Sequence, residues 1–143
     1  MIKVSVVNSK TEMDELQSAV LAEPVENKIT PFAVGDHLLR DDCNYVTLAI
    51  RDKDVLVGHA ICHAMGGDDG YILEISKLYI HESQRRKGYA NQAVDEIVLL
   101  AIYDGINEVF AEAIDENAAN FWSKTDFEFI TNTKRYKKNL NDN

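Results

Sequence analysis

Between Leu78 and Ala90 the chain leaves an apolar strand end, Leu78-Tyr79-Ile80, passes a polar turn, Gln84-Arg85-Arg86-Lys87-Gly88-Tyr89-Ala90, and enters a helical run from Asn91. Strand, short turn and helix in that order aim several backbone N–H groups at one point in space. The first N–H groups of a helix have no acceptor inside it, and its aligned peptide dipoles place roughly +0.5 charge there. Such a start attracts phosphate, and here it reads as a grip for a pyrophosphate. The pattern is neither the P-loop G-x-x-x-x-G-K-[ST] nor G-x-G-x-x-G, so the mononucleotide and dinucleotide folds that carry those motifs fit poorly.

The elements around this turn follow from periodicity and punctuation. Residues 2–7 alternate as a strand, and Asn8-Ser9-Lys10-Thr11 supplies N-caps for a helix to about Leu21, with Met13, Leu16, Val20 and Leu21 at helical spacing. Pro24 and Pro31 flank a loop, and Pro31 suits the first position of a second short helix ending near Leu39. Strands are expected at 44–50 and 55–65, joined by Arg51-Asp52-Lys53-Asp54, and at 71–80 after the glycine-rich turn 66–70. A helix from about Gly88 to Tyr103 stops at Asp104-Gly105. A strand at 109–114, a helix at 118–124 and a final strand at 127–136 complete the order β-α-α-β-β-β-α-β-α-β. That order describes an α/β domain with a mixed, mostly antiparallel sheet.

The 143 residues make one domain, 1–143, with 140–143 expected to fray. No apolar run is long enough to cross a bilayer, and Met1-Ile2-Lys3-Val4 opens into a strand rather than a signal peptide. Cys43 and Cys62 lack metal spacing and a CxxC pattern, so they read as reduced thiols of a cytoplasmic protein, Cys62 facing inward. The formal charge of −9 argues against a nucleic-acid partner, which requires a basic face. It fits a solvated acidic surface, or one that favours a cationic amine.

Arg85, Gly88 and Ala90 form R-x-x-G-x-A, and with this motif the chain resembles the GNAT superfamily of N-acetyltransferases. Further matches lie in order along nearly the whole chain: Val57-Gly58-His59, Leu78-x-Ile80, and Ala118-x-x-Phe121-Trp122-x-x-x-x-Phe127. The resemblance implies a GNAT-type acyl-CoA N-acyltransferase fold and acetyl-CoA as acyl-donor co-substrate, with no metal. It implies that the pyrophosphate rests on the backbone of Arg85, Arg86, Lys87, Gly88, Tyr89 and Ala90. The pantetheine arm would pair with Leu78, Tyr79 and Ile80 in a gap between the strands 72–80 and 109–114. The Leu78 N–H would then stabilise the oxyanion. Asp115 stands where many relatives have a CoA-contacting Asn, so Asn117 or Asn120 is expected to take that contact. Trp122 replaces a Tyr that serves the departing thiol, and an indole N–H is a donor but no useful acid. Asp126 replaces a Gly before Phe127 and concerns only the turn.

A protonated amine with a pKa of about 10.4 is neutral in roughly one molecule in 2,000 at pH 7, so the reaction needs a base. Glu74 is the candidate, since it interrupts the apolar run Ile72-Leu73-Glu74-Ile75 and must have either a task or a partner. The histone acetyltransferase branch of the resembled family carries its glutamate base there. The alternative is a solvated glutamate, or one paired with Lys77.

His59 and His63 share a strand face but stand roughly 13 Å apart along it, too far for one metal ion. His63 is read as a hydrogen-bonded structural residue or an auxiliary base. Lys134, Arg135, Lys137 and Lys138 read as a solvated strand end, and Tyr45, Tyr71 and Tyr79 as pocket or margin residues. Residues 22–42, with Glu23, Glu26, Asp36, Asp41 and Asp42, are expected to select the acceptor, a small amine or a peptide amino group. Pairing with a second copy stays open. The rivals are a CoA-binding sensor or scaffold without catalysis, and an enzyme acting on tRNA, which the charge disfavours.

Overall fold

The computed structural model describes residues 1–24, 31, 45–67 and 70–140. Its elements are β1 (Ile2–Val6), α1 (Lys10–Leu21), β2 (Tyr45–Asp52), β3 (Val55–Gly67), β4 (Gly70–Ile80), a 3₁₀ turn (Glu82–Gln84), α2 (Tyr89–Tyr103), β5 (Ile106–Glu112), α3 (Glu116–Ser123), β6 (Glu128–Phe129) and β7 (Arg135–Asn139). The strands form one seven-stranded sheet in the order β1-β2-β3-β4-β5-β7-β6. The one parallel pair among them is β4 with β5, which α2 joins by the crossover that parallel strands require. No helix among the described residues is long and apolar enough to span a membrane.

Both faces of the sheet are covered by helices whose apolar stripes the sequence displays. Ala93, Val94, Ile97, Val98 and Ala101 of α2 bury against Val46, Leu48, Ile50, Ala60, Cys62, Leu73, Ile75, Val109 and Ala111. On the other face Met13 and Leu16 of α1 pack with Val7, Ala49 and Leu56. Ser9 caps α1 by accepting the Glu12 N–H at 3.1 Å. The division of β2 between the two faces is the period-2 alternation of a strand covered on both sides.

Two expectations change. The last strand is a hairpin, β6 and β7, because Asn132 takes a left-handed φ of 66° and the Thr133 hydroxyl both donates to Ile130 O (2.6 Å) and accepts the Arg135 N–H (2.9 Å). The polar triplet Thr131-Asn132-Thr133 was the signal for that turn. The fifth strand starts at Ile106 rather than 109, directly after Gly105 at φ 77°, and ends at Glu112. Leu140, counted in the end expected to fray, donates its N–H to Asn107 O at 2.8 Å. The second helix expected after Pro31, Cys43 and the acidic residues Glu26, Asp36, Asp41 and Asp42 lie outside the described residues, as do residues 141–143.

The decisive irregularity is in β4. Ile61 pairs with Lys77 and Cys62 with Ile75, so Ser76 is an extra, unopposed residue, a β-bulge. The parallel ladder with β5 stops at Ile75 and Ala111, one residue short of the bulge. Beyond it β5 follows β7, through Glu112 paired with Arg135 and the Ala113 N–H donated to Lys134 O at 2.7 Å. The two central strands therefore part, and a wedge opens between them.

Gly58 of β3, paired with Ile80, lets the β3–β4 ladder close beside this wedge. A Cβ built there would collide with the carbonyl oxygen of Tyr79. Gly58→Ala is expected to lower the unfolding free energy by about 1–3 kcal/mol, read from the urea midpoint. An unchanged midpoint would show that the strands yield freely at this point.

Candidate active site

The wedge is a cleft of about 580 Å³, walled by Ile75 to Ile80 on one side, by Glu112, Ile114 and Asp115 on the other, and closed at one end by the turn before α2. Among the described residues no strand pairs with the edge of β4 that faces it. His81 donates its N–H to Val57 O at 2.8 Å, so the odd-numbered residues here turn their backbone groups toward β3. The alternation then directs the N–H and C=O groups of Leu78 and Ile80 into the cleft. One of these is already used: Arg85 Nε donates to Ile80 O at 2.9 Å.

The turn itself needs two left-handed residues, Arg86 at φ 65° and Gly88 at φ 77°. Gly88 is the N-cap of α2, and its conformation, rather than crowding, demands glycine, because a Cβ would meet only Gln92 Nε2 at an ordinary 3.8 Å. The first backbone bond of α2 runs from the Gln92 N–H to Gly88 O at 3.3 Å. The N–H groups of Tyr89, Ala90 and Asn91 precede it, at the positive end of the helix dipole, with no acidic side chain in that first turn. Arg85 departs from its expected place: its N–H donates to Glu82 O at 3.3 Å and its side chain bridges to Ile80, so it braces the turn from behind. Arg86 and Lys87 are exposed, and Lys87 Nζ donates to Gln84 Oε1 at 3.1 Å.

Glu23, just past α1, fastens the other side of the turn. It accepts the Tyr79 hydroxyl at 2.8 Å and the Glu82 N–H at 2.7 Å. Burial pushes its carboxyl up, but the bonds from Glu82 and Tyr79, with His81 and Arg85 nearby, hold it below the usual value. Burial and this carboxylate together push the Tyr79 phenol up to about 12, so it stays a donor. Tyr89 also lines the cleft and donates its hydroxyl to Asp52 Oδ2 at 2.6 Å.

Across the cleft, Asp115 is the N-cap of α3 and accepts the Ala118 N–H at 2.8 Å. Its charge is spent on the α3 terminus, which explains a carboxylate beside an anion cradle. Asn117 lines the cleft and Asn120 does not, so of the two expected CoA contacts only Asn117 is in reach. Trp122 is buried, edge-on to Phe121 (ring centroids 5.0 Å apart) and tilted on Phe127 (5.0 Å), and it forms part of the cleft wall.

Glu74 is placed differently. It does not line the cleft; Arg135 Nη2 donates to its carboxylate at 3.0 Å, and the same guanidinium lies 4.4 Å from the Phe110 ring centroid. The expected partner Lys77 instead lies over the Tyr79 ring at 5.7 Å. The basic run 134–138 is therefore more than a solvated end. His63 stacks on Tyr45 with centroids 4.3 Å apart. Among the described residues no three His, Cys, Asp or Glu side chains gather to hold a metal. Cys62 is buried, and burial pushes its thiol up to about 12. The sequence reading missed Glu112, a cleft residue at the end of β5.

The family model described as acetyltransferase (GNAT) family matches residues 11–127. None of the curated proteins matches the sequence. Among solved structures, the fold is similar to that of an acetyltransferase from Thermus thermophilus, 16% identical, with a TM-score of 0.71 over 98% of this chain and 97% of that one. It is also similar to an aminoglycoside acetyltransferase from an uncultured soil metagenomic sample in complex with sisomicin (16% identity, TM-score 0.64, 87% of each chain). A third is AtaTR bound with AcCoA (15% identity, TM-score 0.66, 96% of this chain and 92% of that one).

His59 lies buried beside the cleft wall, its ring 6.0 Å from that of Tyr79, and neither of its nitrogens has a hydrogen-bond partner among the described residues. Burial, with His81 and Lys77 close by, pushes it down to about 4 from an ordinary 6.5. The unfolded chain therefore binds this proton first, and stability is full above pH 6.5 and declines as the pH falls toward 4. By about pH 5 the loss from this one residue should be about 2 kcal/mol. Urea midpoints at about pH 7 and 5, compared with those of His59→Phe, will measure it. An equal drop in both proteins would rule His59 out as the source.

Proposed function

The chain belongs to the GNAT acetyltransferase family, and on that premise we propose that it moves the acetyl group of acetyl-CoA to a primary amine by direct attack in a ternary complex. The observation that carries this reading is the juxtaposition, in one cleft, of an unpaired strand edge at Leu78–Ile80 and an unpartnered helix start at Tyr89–Asn91. A pyrophosphate fits the latter, because three N–H groups and the dipole converge on one spot and Gly88 keeps the turn left-handed. An amide-bearing arm fits the former as an added strand. The open groups are the N–H and C=O of Leu78 and the N–H of Ile80, since Ile80 O is taken by Arg85. A similar fold has been solved with AcCoA and another with sisomicin, in line with an acyl-CoA donor and an amine acceptor.

The chain's own groups then divide the work. The Leu78 N–H donates to the thioester oxygen as negative charge develops, the preorganised donor that acyl transfer requires. Asn117 and the wall of Trp122 and Phe121 border the path of the arm. Trp122 supplies no acid, so the thiolate leaves as such and is protonated by solvent, which its good leaving ability permits. The net charge of −9 favours approach of a cationic acceptor over an anionic one.

Mixing the protein with acetyl-CoA and a panel of small amines and peptides should release thiol with at least one acceptor. Binding of acetyl-CoA without release from any amine would favour the sensor or scaffold reading, and no heat of association in calorimetry would reject both. In Gly88→Ala the left-handed turn costs about 1–2 kcal/mol, so the acetyl-CoA Kd should rise roughly 5- to 30-fold.

A further inference from the structure

We propose that Glu112, not Glu74, takes the proton from the acceptor amine. The inference rests on the acetyl-transfer reading above and assigns a residue to its least defined step. Glu112 is the last residue of β5, and the β4–β5 ladder ends one position earlier, at Ala111. It is therefore the first β5 residue on the opened side of the wedge, across from Ser76 and Lys77 and beside the segment whose Leu78 N–H faces the thioester. It is exposed and lines the cleft, whereas Glu74 sits one step inside the closed ladder, paired with Phe110.

Two carboxylates compete here for one guanidinium. Phe110 and Glu112 share a strand face, and Arg135 is the register partner of Glu112 on β7. Yet Arg135 lies over Phe110 and donates to Glu74 at 3.0 Å. Among the described residues the Glu112 carboxylate has no hydrogen bond or ion pair. A base must be able to accept a proton without first breaking an ion pair, and of the two only Glu112 meets that condition. Glu74 becomes a positioning residue that draws Arg135 away. The charged groups around Glu112 are Glu74 and Lys77 on β4, Arg135 and Lys137 on β7, Lys134 just before it, and Asp115 and Glu116 at the start of α3. Of these, Arg135 is paired with Glu74, Lys137 lies 3.9 Å from Glu108, and Asp115 is bonded to the Ala118 N–H.

The step balances without a further reagent. The ammonium gives one proton to the Glu112 carboxylate, directly or through one water, and its freed lone pair forms the C–N bond. As the C–S bond breaks, its electron pair leaves on sulfur. The second nitrogen proton ends on the thiolate or in solvent, and Glu112 returns its proton to water.

The test compares wild type, Glu112→Gln, Glu112→Asp and Glu74→Gln, using the amine that gives most thiol release and acetyl-CoA calorimetry for each. For Glu112→Gln we expect kcat/KM to fall about 100-fold or more. The residual rate should depend more steeply on the neutral fraction of the amine, so that an acceptor of lower amine pKa recovers more of it than in wild type. The acetyl-CoA Kd should stay within about twofold, and Glu112→Asp should recover part of the rate. A Glu112→Gln rate within about threefold of wild type overturns the assignment, as does a larger loss of rate in Glu74→Gln than in Glu112→Gln. A wild-type protein that binds no acetyl-CoA or releases no thiol overturns the acetyl-transfer reading, and this inference with it.

Discussion

One extra residue in β4 organises the molecule. Ser76 has no partner on β3, and the twist it introduces ends the hydrogen bonds between β4 and β5 at Ile75 and Ala111. A continuous ladder would have paired the backbone groups of Leu78 and Ile80 with β5 and left no space between the strands. Because the strands part, those groups face a cleft, and the cleft ends at the turn from which α2 starts. An unpaired strand edge is normally a liability. Here α3 and the bracing side chains enclose it, and it reads as the binding edge.

The electrostatics of the site follow a consistent division. Carboxylates near the turn are held by donors: Asp115 caps α3, Glu23 accepts from Tyr79 and the Glu82 N–H, and Asp52 accepts the Tyr89 hydroxyl. Arg85, the most conspicuous cation of the turn, is turned back to Ile80 O. The positive end of α2 is then supplied by backbone dipoles, which cost no side-chain ordering and cannot be titrated. Two carboxylates on the acceptor side differ in the same way: Glu74 is bound to Arg135, and Glu112 is free among the described residues.

Much of the fold was legible because local chemistry and global packing agree. The α2 stripe, the β2–β3 hairpin around Arg51–Asp54 and the phosphate-type turn all carry their own signals, and each appears within a few residues of its expected place. The single strand expected at 127–136 is a hairpin, because Thr131-Asn132-Thr133 turns the chain through a left-handed Asn132. The resemblance counts the Arg85 backbone N–H in the phosphate turn, but that N–H donates to Glu82 O at 3.3 Å, a bond that the spacing of the motif does not reveal. The acidic cap at Asp115 was taken for an obstacle, since only the helix that follows it shows what its charge meets.

Sequence alone determined most of the element order among the described residues, the apolar stripes of α1 and α2 and the position of the turn before α2, because periodicity, glycine and helix starts act over a few residues. It also singled out Glu74, through the cost of a carboxylate in an apolar run. Only the tertiary structure decided what that carboxylate does, because its partner lies 61 positions away on β7. The same holds for the wedge and for Glu112. A bulge is a mismatch between two strands, and whether a carboxylate is paired depends on which of two neighbours a distant guanidinium reaches. Neither quantity exists until the strands are assembled.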